Sequence, residues 1–357
     1  MKAVVLVGGE GTRLRPLTET IPKPLIPLMD RRFLDKVLDH LVRHRVDEVI
    51  MSSPYLEERF APFIASRRGR PRITWITEET ALGTGGAVVN ALEHVGPEPF
   101  LALNGDILTD LDLTGMLAFH RERGASATIA LTRVEDARPF GLVPTEDDGR
   151  VIEFREKPAE LVPGEVNAGT YVLDPAALAG WPSGRAISIE LEIFPALIES
   201  GRPVYGYLSH GYWMDLGTPE KYLQAHVDIL EKRMEGERYP APFVVHGANV
   251  HPRASLGPAV VVGRGATIEE EAEVQRSVIH PGAVIEVRAR VVGSILGPGA
   301  RVGAGASVRS CVLAEGAEVP PGLVLEGARV SAGNTADGSA DGSAGGSAGG
   351  SAGGSTG

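Results

Sequence analysis

The chain contains 357 residues, of which 43% are hydrophobic and 23% are charged, and its net charge is −11 at pH 7. This length allows two domains with a sizeable core, and the negative charge argues against nucleic acid or an anionic membrane as a partner. The single cysteine, Cys311, excludes a disulfide framework and is typical of a small buried side chain. No stretch of about 18 apolar residues is present, and Met1 directly precedes a predicted strand, so we expect a cytoplasmic protein.

The first predicted element is an apolar strand, Ala3–Leu6, followed by a loop rich in glycine and positive charge. Four apolar residues in a row indicate a buried strand of a parallel sheet. The glycines that follow, Gly8, Gly9 and Gly11, allow a tight turn and expose N–H groups to phosphate oxygens. Neither familiar phosphate loop fits, because the third glycine of the dinucleotide fingerprint and the G-K-[ST] triplet of a P-loop are missing.

Strand-like and helix-like patterns then alternate to about Arg233. The apolar runs EVIMS, ITWI, FLALN and ATIALTRV indicate strands, EDDGRVIEF indicates a hairpin, and GGAVVNALEHV indicates a helix. Thr218 and Pro219 are a cap and a first helical residue, so a further helix is predicted there. This alternation predicts an α/β domain over residues 1–235, with an open, mostly parallel sheet and helices on both faces.

A repeat follows, in which corresponding apolar residues lie seventeen positions apart and the steps within each cycle are six, six and five residues. The three series are Val262, Ile279, Leu296 and Leu313; Ile268, Ile285, Val302 and Val319; and Val274, Val291 and Val308. A coil with three flat sides and one inward aliphatic residue per side would produce this spacing. The pattern therefore predicts a parallel β-solenoid of four to five coils over residues 246–330. Residues 331–357 are small and polar, which predicts a disordered tail.

The segment VGGEGTRLRPLTETIPKPL, from Val7 to Leu25, resembles the signature of the sugar-1-phosphate nucleotidylyltransferases: G-G-x-G-T-R-L, P-L-T and P-K-P-L. The resemblance covers the whole N-terminal region and implies a Rossmann-like fold there. The hexapeptide pattern of the solenoid resembles the left-handed β-helix at the C-terminus of many of these enzymes. The implied reaction is attack by a sugar-1-phosphate oxygen on the α-phosphorus of a nucleoside triphosphate, with release of pyrophosphate. Such a transfer depends on positioning and electrostatics rather than on a covalent nucleophile.

The resemblance also implies how the phosphates and a metal ion are bound. Backbone donors to the triphosphate would come from Gly8, Gly9, Gly11 and Thr12. Arg13 and Lys23 match the catalytic positions that hold the leaving pyrophosphate. Asp106 in LNGDIL, also catalytic, and Asp215 in YWMDLGTPE match the metal-binding aspartates of the family. Because Mg²⁺ prefers one or two carboxylates together with phosphate oxygens, Mg²⁺ is the expected cofactor.

On the sugar side, FREKP matches the F-x-E-K-P of the family. The resemblance implies that Lys157 holds the sugar phosphate and that Glu156 contacts the sugar hydroxyls. Asn167 in EVNAGTYV matches a further sugar-binding position, and Gly141 in FGLV matches a glycine whose backbone meets a hydroxyl. An exposed Glu-Lys pair in a loop is usually only solvated surface, so these four roles depend on the resemblance.

The nucleotide base can be argued from chemistry. Glu78 lies five residues before Gly83, where the thymidylyl- and uridylyltransferases of this family carry a glutamine. A carboxylate only accepts hydrogen bonds, which suits the adjacent N1–H and N2–H₂ donors of guanine better than the mixed edge of a pyrimidine. The segment ALGTGGA also resembles the guanylyltransferase pattern. The prediction is therefore GTP.

The sugar is less well defined. The overall match resembles bacterial mannose-1-phosphate guanylyltransferases with a C-terminal β-helix, but those enzymes usually carry Arg or Lys where this chain has Leu191. The alternatives are a guanylyltransferase for heptose 1-phosphate or for a cyclitol such as valienol 1-phosphate, and a glucose-1-phosphate thymidylyltransferase.

Two other classes of protein are alternatives. A hexapeptide β-helix can transfer acetyl groups with a histidine, and His246, His251 and His280 lie in or near the solenoid. A catalytically silent regulatory subunit should have lost the two aspartates or the two lysines named above, and all four are present. We expect the β-helix to serve as a homo-oligomerisation and rigidity module.

Overall fold

The computed structural model describes residues 1–9, 11–53, 57–67 and 69–337. The N-terminal domain is built on a nine-stranded sheet, and three sheets of short strands follow it. The strands of the N-terminal domain are β1 Lys2–Leu6, β2 Pro27–Leu28, β3 Arg31–Arg32, β4 Glu48–Ser53, β5 Arg72–Thr77, β6 Phe100–Asn104, β7 Ile107–Thr109, β8 Ala127–Val134, β9 Gly141–Leu142, β10 Arg155–Glu156, β11 Gly164–Leu173, β12 Val204–Leu208 and β13 Trp213–Asp215. The α-helices are α1 Phe33–Arg43, α2 Glu57–Ser66, α3 Gly83–Asn90, α4 Leu92–Val95, α5 Leu113–Glu122, α6 Pro175–Leu178, α7 Phe194–Glu199 and α8 Pro219–Leu230.

The main sheet has the order β10-β9-β11-β6-β1-β4-β5, and β8 pairs with β11 and β12. The strands β6, β1, β4 and β5 are parallel to one another. This half of the sheet confirms the expected Rossmann-like fold. β11 runs antiparallel to both β6 and β8. Its register with β8 shifts between Asn167 and Tyr171, an irregularity of the kind that re-aims side chains beside active sites.

Helices cover both faces of this sheet. Alternate residues of a strand point to opposite faces, and β1 follows this rule: Ala3 and Val5 belong to one hydrophobic cluster and Val4 to the other. The first cluster includes residues of α1, α5 and α8, and the second includes residues of α3 and α7. Thr218 caps α8 by accepting from the Lys221 N–H, as the sequence predicts.

The C-terminal domain consists of three parallel sheets whose strands are each two or three residues long. The first sheet contains Phe243–Val244, Val260–Val262, Ser277–Ile279, Ile295–Leu296, Val312–Leu313 and Arg329–Val330. The second contains Asn249–Val250, Thr267–Ile268, Val284–Ile285, Arg301–Val302 and Glu318–Val319. The third contains Ser255–Leu256, Glu273–Gln275, Arg290–Val292, Ser307–Arg309 and Val324–Glu326.

The seventeen-residue repeat is confirmed by the pairing of these strands. Ile279 lies opposite Leu296, for example, whereas the first coil is one residue longer and places Val244 opposite Val262. All three predicted inward series lie in one buried core. The arrangement is consistent with a left-handed β-helix. Cys311 is buried in the same core, and burial raises the pKa of its thiol, as for a structural cysteine.

One outward row of the first sheet packs against the N-terminal domain, and we call it the docking row. Its members, which lie opposite one another in successive coils, are Phe243, Val261, Val278, Ile295, Val312 and Arg329. The first five pack with the core cluster that contains residues of α1, α5 and α8. The β-helix is therefore fixed to the N-terminal domain by apolar burial along one of its sides.

Buried hydrogen bonds reinforce this contact. The His280 Nε2 atom of the β-helix lies 3.1 Å from the hydroxyl of Tyr222 on α8, and that hydroxyl donates to the Pro27 carbonyl oxygen. His226 accepts from the Met29 N–H at Nε2 over 3.2 Å, and its Nδ1 lies 2.9 Å from the Tyr222 carbonyl oxygen. Burial, more than any neighbouring charge, lowers the pKa of His280 to about 3 and that of His226 to about 4. Both rings are therefore neutral at pH 7.

Residues 331–337, which the composition assigned to the tail, continue the β-helix. The Glu318 N–H donates to the Asn334 carbonyl oxygen, the Ala336 N–H donates to the Glu318 carbonyl oxygen, and Thr335 forms a parallel bridge with Glu318. The edge of the second sheet accepts these residues because backbone pairing does not depend on large side chains. The rest of the predicted tail, 338–357, lies outside the described residues.

Candidate active site

A cavity of about 330 Å³ lies at the carboxyl ends of β1, β4, β5 and β6. Open α/β sheets bind their ligands at this edge. The predicted nucleotide-binding residues that line it are Gly8, Gly9, Lys23, Glu78 and Gly83, and the predicted catalytic and metal-binding residue Asp106 lines it as well. The structure thus brings six of the predicted residues together around one opening.

Glu78 follows β5, and its buried carboxylate is held by two donors. The Ser52 hydroxyl donates to Oε1 over 2.8 Å, and the Leu82 N–H donates to Oε2 over 2.9 Å. Each carboxylate oxygen has two lone pairs, so each can accept one more hydrogen bond. Gly83 begins α3 with φ +68°, and a Cβ there would lie 2.7 Å from the Ile187 carbonyl oxygen, so only glycine fits this position.

The two predicted metal-binding aspartates meet through strand pairing. β7 and β13 pair antiparallel with Asp215 opposite Ile107, which brings Asp215 beside Asp106. The Lys23 ammonium donates to Asp106 Oδ2 over 2.7 Å and lies 3.9 Å from Asp215 Oδ1. The Lys23 side chain is only 8% exposed. A buried cation requires such partners, so the two carboxylates stabilise the Lys23 ammonium, which in turn reduces the repulsion between them.

These carboxylates fit a divalent cation. Within the described residues, no group of three or more His, Cys, Asp or Glu side chains is arranged to hold a metal ion. However, Asp106 and Asp215 both lie beside the Lys23 ammonium and so place two carboxylates close together. Mg²⁺ is typically bound by one or two carboxylates, with phosphate oxygens and water as its other ligands. Asp106 and Asp215 could therefore hold a metal ion once a triphosphate supplies the remaining oxygens.

A second cavity, of about 250 Å³, adjoins the first, because Asn104 and Asp106 line both. The predicted residues around it are Arg13, Asp106, Gly141, Glu156, Lys157, Asn167 and Asp215. All four predicted sugar-side residues are thus collected here, and Arg13 lies with them. Gly11 and Thr12 line neither cavity in the described part of the chain; Gly11 precedes the short 3₁₀ turn Thr12–Leu14 that carries Arg13.

Close backbone approach shapes the sugar-side cavity. Gly141 pairs with Glu156 across β9 and β10, and a Cβ on Gly141 would lie 2.6 Å from Phe154 Cζ and 2.9 Å from Glu156 Oε2. The Lys157 N–H donates to the Phe140 carbonyl oxygen over 3.0 Å, while Lys157 itself has φ +48°. Non-glycine residues held in this left-handed region are strained, and such strain concentrates at functional sites.

A hydrogen-bond network forms the floor of the same cavity. Asn167 Nδ2 donates to the Tyr171 hydroxyl over 2.8 Å, and that hydroxyl lies 3.5 Å from Glu190 Oε1. Thr84 and Ser188 donate to Glu190 Oε2 over 2.6 and 2.9 Å. Burial raises the pKa of Tyr171 well above its ordinary value, so its hydroxyl stays protonated and available as a donor.

Several polar lining residues were not predicted from the sequence, among them Ser52, Thr84, Asn104, Glu190 and Lys221. Asn104 and Glu190 stand directly beside Gly105 and Leu191, within the segments that carry the family resemblance, so their polarity was a usable signal. Lys221 Nζ lies 3.3 Å from Asp215 Oδ2 and 5.1 Å from the centre of the Phe140 ring. A lysine in the first turn of a helix gave no sequence signal for this position.

The profile of the nucleotidyl transferase family matches residues 2–232, and the chain belongs to that family. It is an enzyme of the nucleotidyltransferase class, which generally uses a divalent metal. The profile of the GMPPB C-terminal domain matches residues 239–340. No helix in the described ranges combines the length and apolar content needed to cross a membrane.

Individual relatives agree with this class. The chain is 39% identical over 285 residues to a mannose-1-phosphate guanylyltransferase of Mycobacterium tuberculosis, covering 78% of this chain and 79% of the relative. It is 37% identical to the mannose-1-phosphate guanylyltransferase catalytic subunit beta of Danio rerio, covering 72% and 73%. The crystal structure of HddC from Yersinia pseudotuberculosis complexed with GMP-PN is similar with a TM-score of 0.55 and 27% identity, covering 63% of this chain and 97% of that one.

Proposed function

We propose that this enzyme joins a sugar 1-phosphate to GTP, giving a GDP-sugar and pyrophosphate, and that the sugar is mannose. The observation that carries the proposal is the pair of adjoining cavities that share Asp106 and Asn104. One is lined by the glycine-rich loop and the other by the Glu156-Lys157 pair, so two phosphorylated substrates could meet at Asp106. The two relatives described above are named for this activity.

The residues around the shared wall suit the transfer. An oxygen of the sugar phosphate attacks the α-phosphorus of GTP, the bond from that phosphorus to the β-phosphate oxygen breaks, and pyrophosphate leaves. The N–H groups of Gly8 and Gly9, which line the first cavity, are assigned to the triphosphate. Gly11 and Thr12 line neither cavity, and their assignment to the triphosphate depends on the family resemblance alone. Arg13 and Lys23 stabilise the charge on the departing pyrophosphate, because catalysis of phosphate-group transfer depends mainly on positioning and on electrostatic stabilisation of this kind.

Mg²⁺ is the proposed cofactor, held by Asp106 and Asp215. When bound, it would place positive charge beside the triphosphate. The chain as a whole carries a net charge of −11 and would otherwise repel this anion. The Lys23 ammonium lies beside both carboxylates, 2.7 Å from Asp106 Oδ2 and 3.9 Å from Asp215 Oδ1.

Guanine is proposed as the base because Glu78 presents two acceptor oxygens to the first cavity. Ser52 and Leu82 orient the carboxylate without using all its lone pairs. Guanine offers N1–H and N2–H₂ side by side, whereas thymine and uracil offer a donor between acceptors. The relative solved with GMP-PN supports the same base.

On the sugar side, Lys157 is assigned to the sugar phosphate and Glu156, Asn167 and the Gly141 backbone to the hydroxyls. Glu190 adds a carboxylate acceptor to this cavity. Leu191 beside it is 64% exposed and supplies no charge. The alternatives to test are a guanylyltransferase for heptose 1-phosphate or valienol 1-phosphate and a glucose-1-phosphate thymidylyltransferase.

None of the three histidines named above has a geometry that favours acetyl transfer. His280 is buried, neutral and bonded to Tyr222, so it does not face solvent as a catalytic base must. His246 and His251 are exposed residues of the first coils.

A cytoplasmic location and homo-oligomerisation through the β-helix remain predictions. Because the docking row already packs on its own chain, an oligomer would have to use the other two sides.

The decisive experiment is a substrate matrix. GTP, ATP, UTP and dTTP are each incubated with mannose, glucose, heptose and valienol 1-phosphates, and pyrophosphate release is followed with and without Mg²⁺. We expect the highest kcat/KM for GTP with mannose 1-phosphate. A preference for dTTP with glucose 1-phosphate would contradict the base assignment, and acetylation from acetyl-CoA without pyrophosphate release would contradict the class of reaction. Light scattering tests the oligomer prediction separately, and a monomer would contradict it.

A further inference from the structure

The docking row changes character at its last member. Five aliphatic or aromatic residues are followed by Arg329, whose Nη1 lies 3.4 Å from the Arg15 carbonyl oxygen. Its Nη2 lies 3.4 Å from Glu220 Oε1. The final coil thus leaves the apolar contact and reaches polar segments that border the active site.

Ser331 and Ala332, which follow Val330, hold Glu19, which belongs to the signature loop. The Ser331 hydroxyl donates to Glu19 Oε1 over 3.0 Å, and the Ala332 N–H donates to Glu19 Oε2 over 3.0 Å. Both carboxylate oxygens are engaged by one short piece of the β-helix. Hydrogen bonds to an ionised group are stronger than neutral ones.

Glu19 is the end of a compact turn that contains Arg13. The Glu19 N–H donates to the Pro16 carbonyl oxygen over 3.2 Å, and the Thr18 hydroxyl donates to the Gly11 carbonyl oxygen over 2.8 Å. The segment from Gly11 to Glu19 is therefore tied together internally. Since Arg13 lies in its middle and lines the second cavity, restraining Glu19 restrains Arg13.

The same coil also reaches the opposite wall of the cavity. Glu220, the second contact of Arg329, lies in the first turn of α8 beside Lys221. Lys221 Nζ lies 3.3 Å from Asp215 Oδ2. One arginine therefore connects the loop of Arg13 with the helix that follows the metal-binding aspartate.

We propose that the final coil of the β-helix positions the Gly11–Glu19 turn, and with it Arg13, for catalysis. Glu19 is a positioning residue and Ser331 is its partner. The inference rests on the proposed function for the role of Arg13. A loop held at both ends samples fewer conformations. Arg13 is therefore in place before the phosphates bind, and no conformational entropy has to be lost to order it in each turnover.

The test uses the full-length chain with Glu19→Ala, Ser331→Ala and the double variant. We expect Glu19→Ala to lower kcat about tenfold, since small misplacements of a catalytic group are costly, while KM for mannose 1-phosphate stays nearly unchanged. The double variant should be no slower than Glu19→Ala alone, because both changes remove the same restraint. Glu19→Gln should retain most activity, since its amide can accept from Ala332 and donate to the Ser331 oxygen.

Glu122→Ala and Ser255→Ala are matched controls on surfaces away from this contact and should behave as wild type. Hydrogen exchange at the Leu14, Arg15 and Leu17 amides, which bond within the turn, gives a readout independent of substrate. We expect faster exchange in Ser331→Ala. Unchanged exchange there, or an unchanged kcat in Glu19→Ala, overturns the proposal. A wild type that transfers no nucleotide to any sugar phosphate would instead contradict the proposed function, and the exchange measurement still decides whether the restraint exists.

Discussion

Both domains contain parallel strands, yet they use those strands in opposite ways. In the N-terminal sheet the strands stop at one edge, and the loops that follow collect Lys23, Asp106 and Asp215 within a few ångströms. In the β-helix short turns join each strand to the next side of the coil, and the inward residues form a mostly apolar core that also buries Ser277 and Ser294. Chemistry requires irregular loops, whereas the repeat supplies a rigid body of fixed length. Variants of the two regions should therefore affect different properties.

The largest effect is expected at the two aspartates. Asp106→Asn and Asp215→Asn each remove a charge from the proposed metal site while keeping the size of the side chain, so Mg²⁺-dependent pyrophosphate release should be abolished. The thermal unfolding midpoint should change little, since Lys23 loses one of two anionic partners and keeps the other. Activity of either variant that persists in excess EDTA would contradict the metal assignment.

The complementary variant lies in the β-helix core. Leu296 is fully buried, and Leu296→Ala should cost about 2–5 kcal/mol of stability through lost burial and a cavity. Below the unfolding transition, kcat should equal that of the wild type. Urea unfolding followed by circular dichroism measures the first effect and the pyrophosphate assay the second. Val324→Ala is the control, because Val324 is 71% exposed and should change stability by less than about 0.5 kcal/mol.

A smaller effect, on selectivity alone, is expected at Glu78. Glu78→Gln replaces one acceptor oxygen by a donor, which should cost about 1–3 kcal/mol against GTP, or roughly ten- to a hundredfold in selectivity, and raise the relative use of UTP or dTTP. The Ser52 hydroxyl can rotate to accept from the new amide, so the fold should tolerate the change. The control is Glu79→Gln, on the neighbouring exposed residue. If GTP preference survives in Glu78→Gln, the base is recognised elsewhere.

The smallest effect concerns the contact between the two regions and appears as a pH dependence. The folded-state pKa of His280, about 3, is below its ordinary value of 6.5, so the unfolded chain binds more protons between these values. Its contribution to stability is therefore present above pH 6.5 and lost as the pH falls, by about 2 kcal/mol at pH 5.

The variant His280→Leu should be less stable than wild type at pH 8 because it loses the contact with the Tyr222 hydroxyl. Its stability should fall less steeply between pH 8 and pH 5. His251→Gln, at an exposed histidine, should follow the wild-type curve. An equally steep fall in His280→Leu would mean that other buried groups, such as His226, account for the pH dependence.

Both domains could be predicted from the sequence because the patterns that indicate them are local. The glycine-rich loop follows its strand directly, and the seventeen-residue period is counted without knowing any contact. The pairing of Asp106 with Asp215 was accessible only through the family resemblance, since more than a hundred residues separate the two strands that bring them together.

Long-range contacts account for what could not be predicted. Val261, Val278, Ile295 and Val312 also repeat every seventeen residues, but spacing does not tell which surface covers an outward row. Glu190 is oriented in the sugar-side cavity by Thr84 of α3 and Tyr171 of β11, both distant in sequence, together with its neighbour Ser188. The link between Glu19 and Ser331 spans almost the entire chain.

The β-helix has a regular rise, so the number of its coils determines the distance between its first and last coils. Successive coils are spaced by about 4.8 Å, the distance between paired strands, so the number of coils determines which residue stands opposite Arg15. One coil more or fewer would place a different row member there and leave Glu19 without its partners. In this architecture the length of a repetitive domain determines which residues reach the active site, and that length changes by one coil of seventeen or eighteen residues at a time.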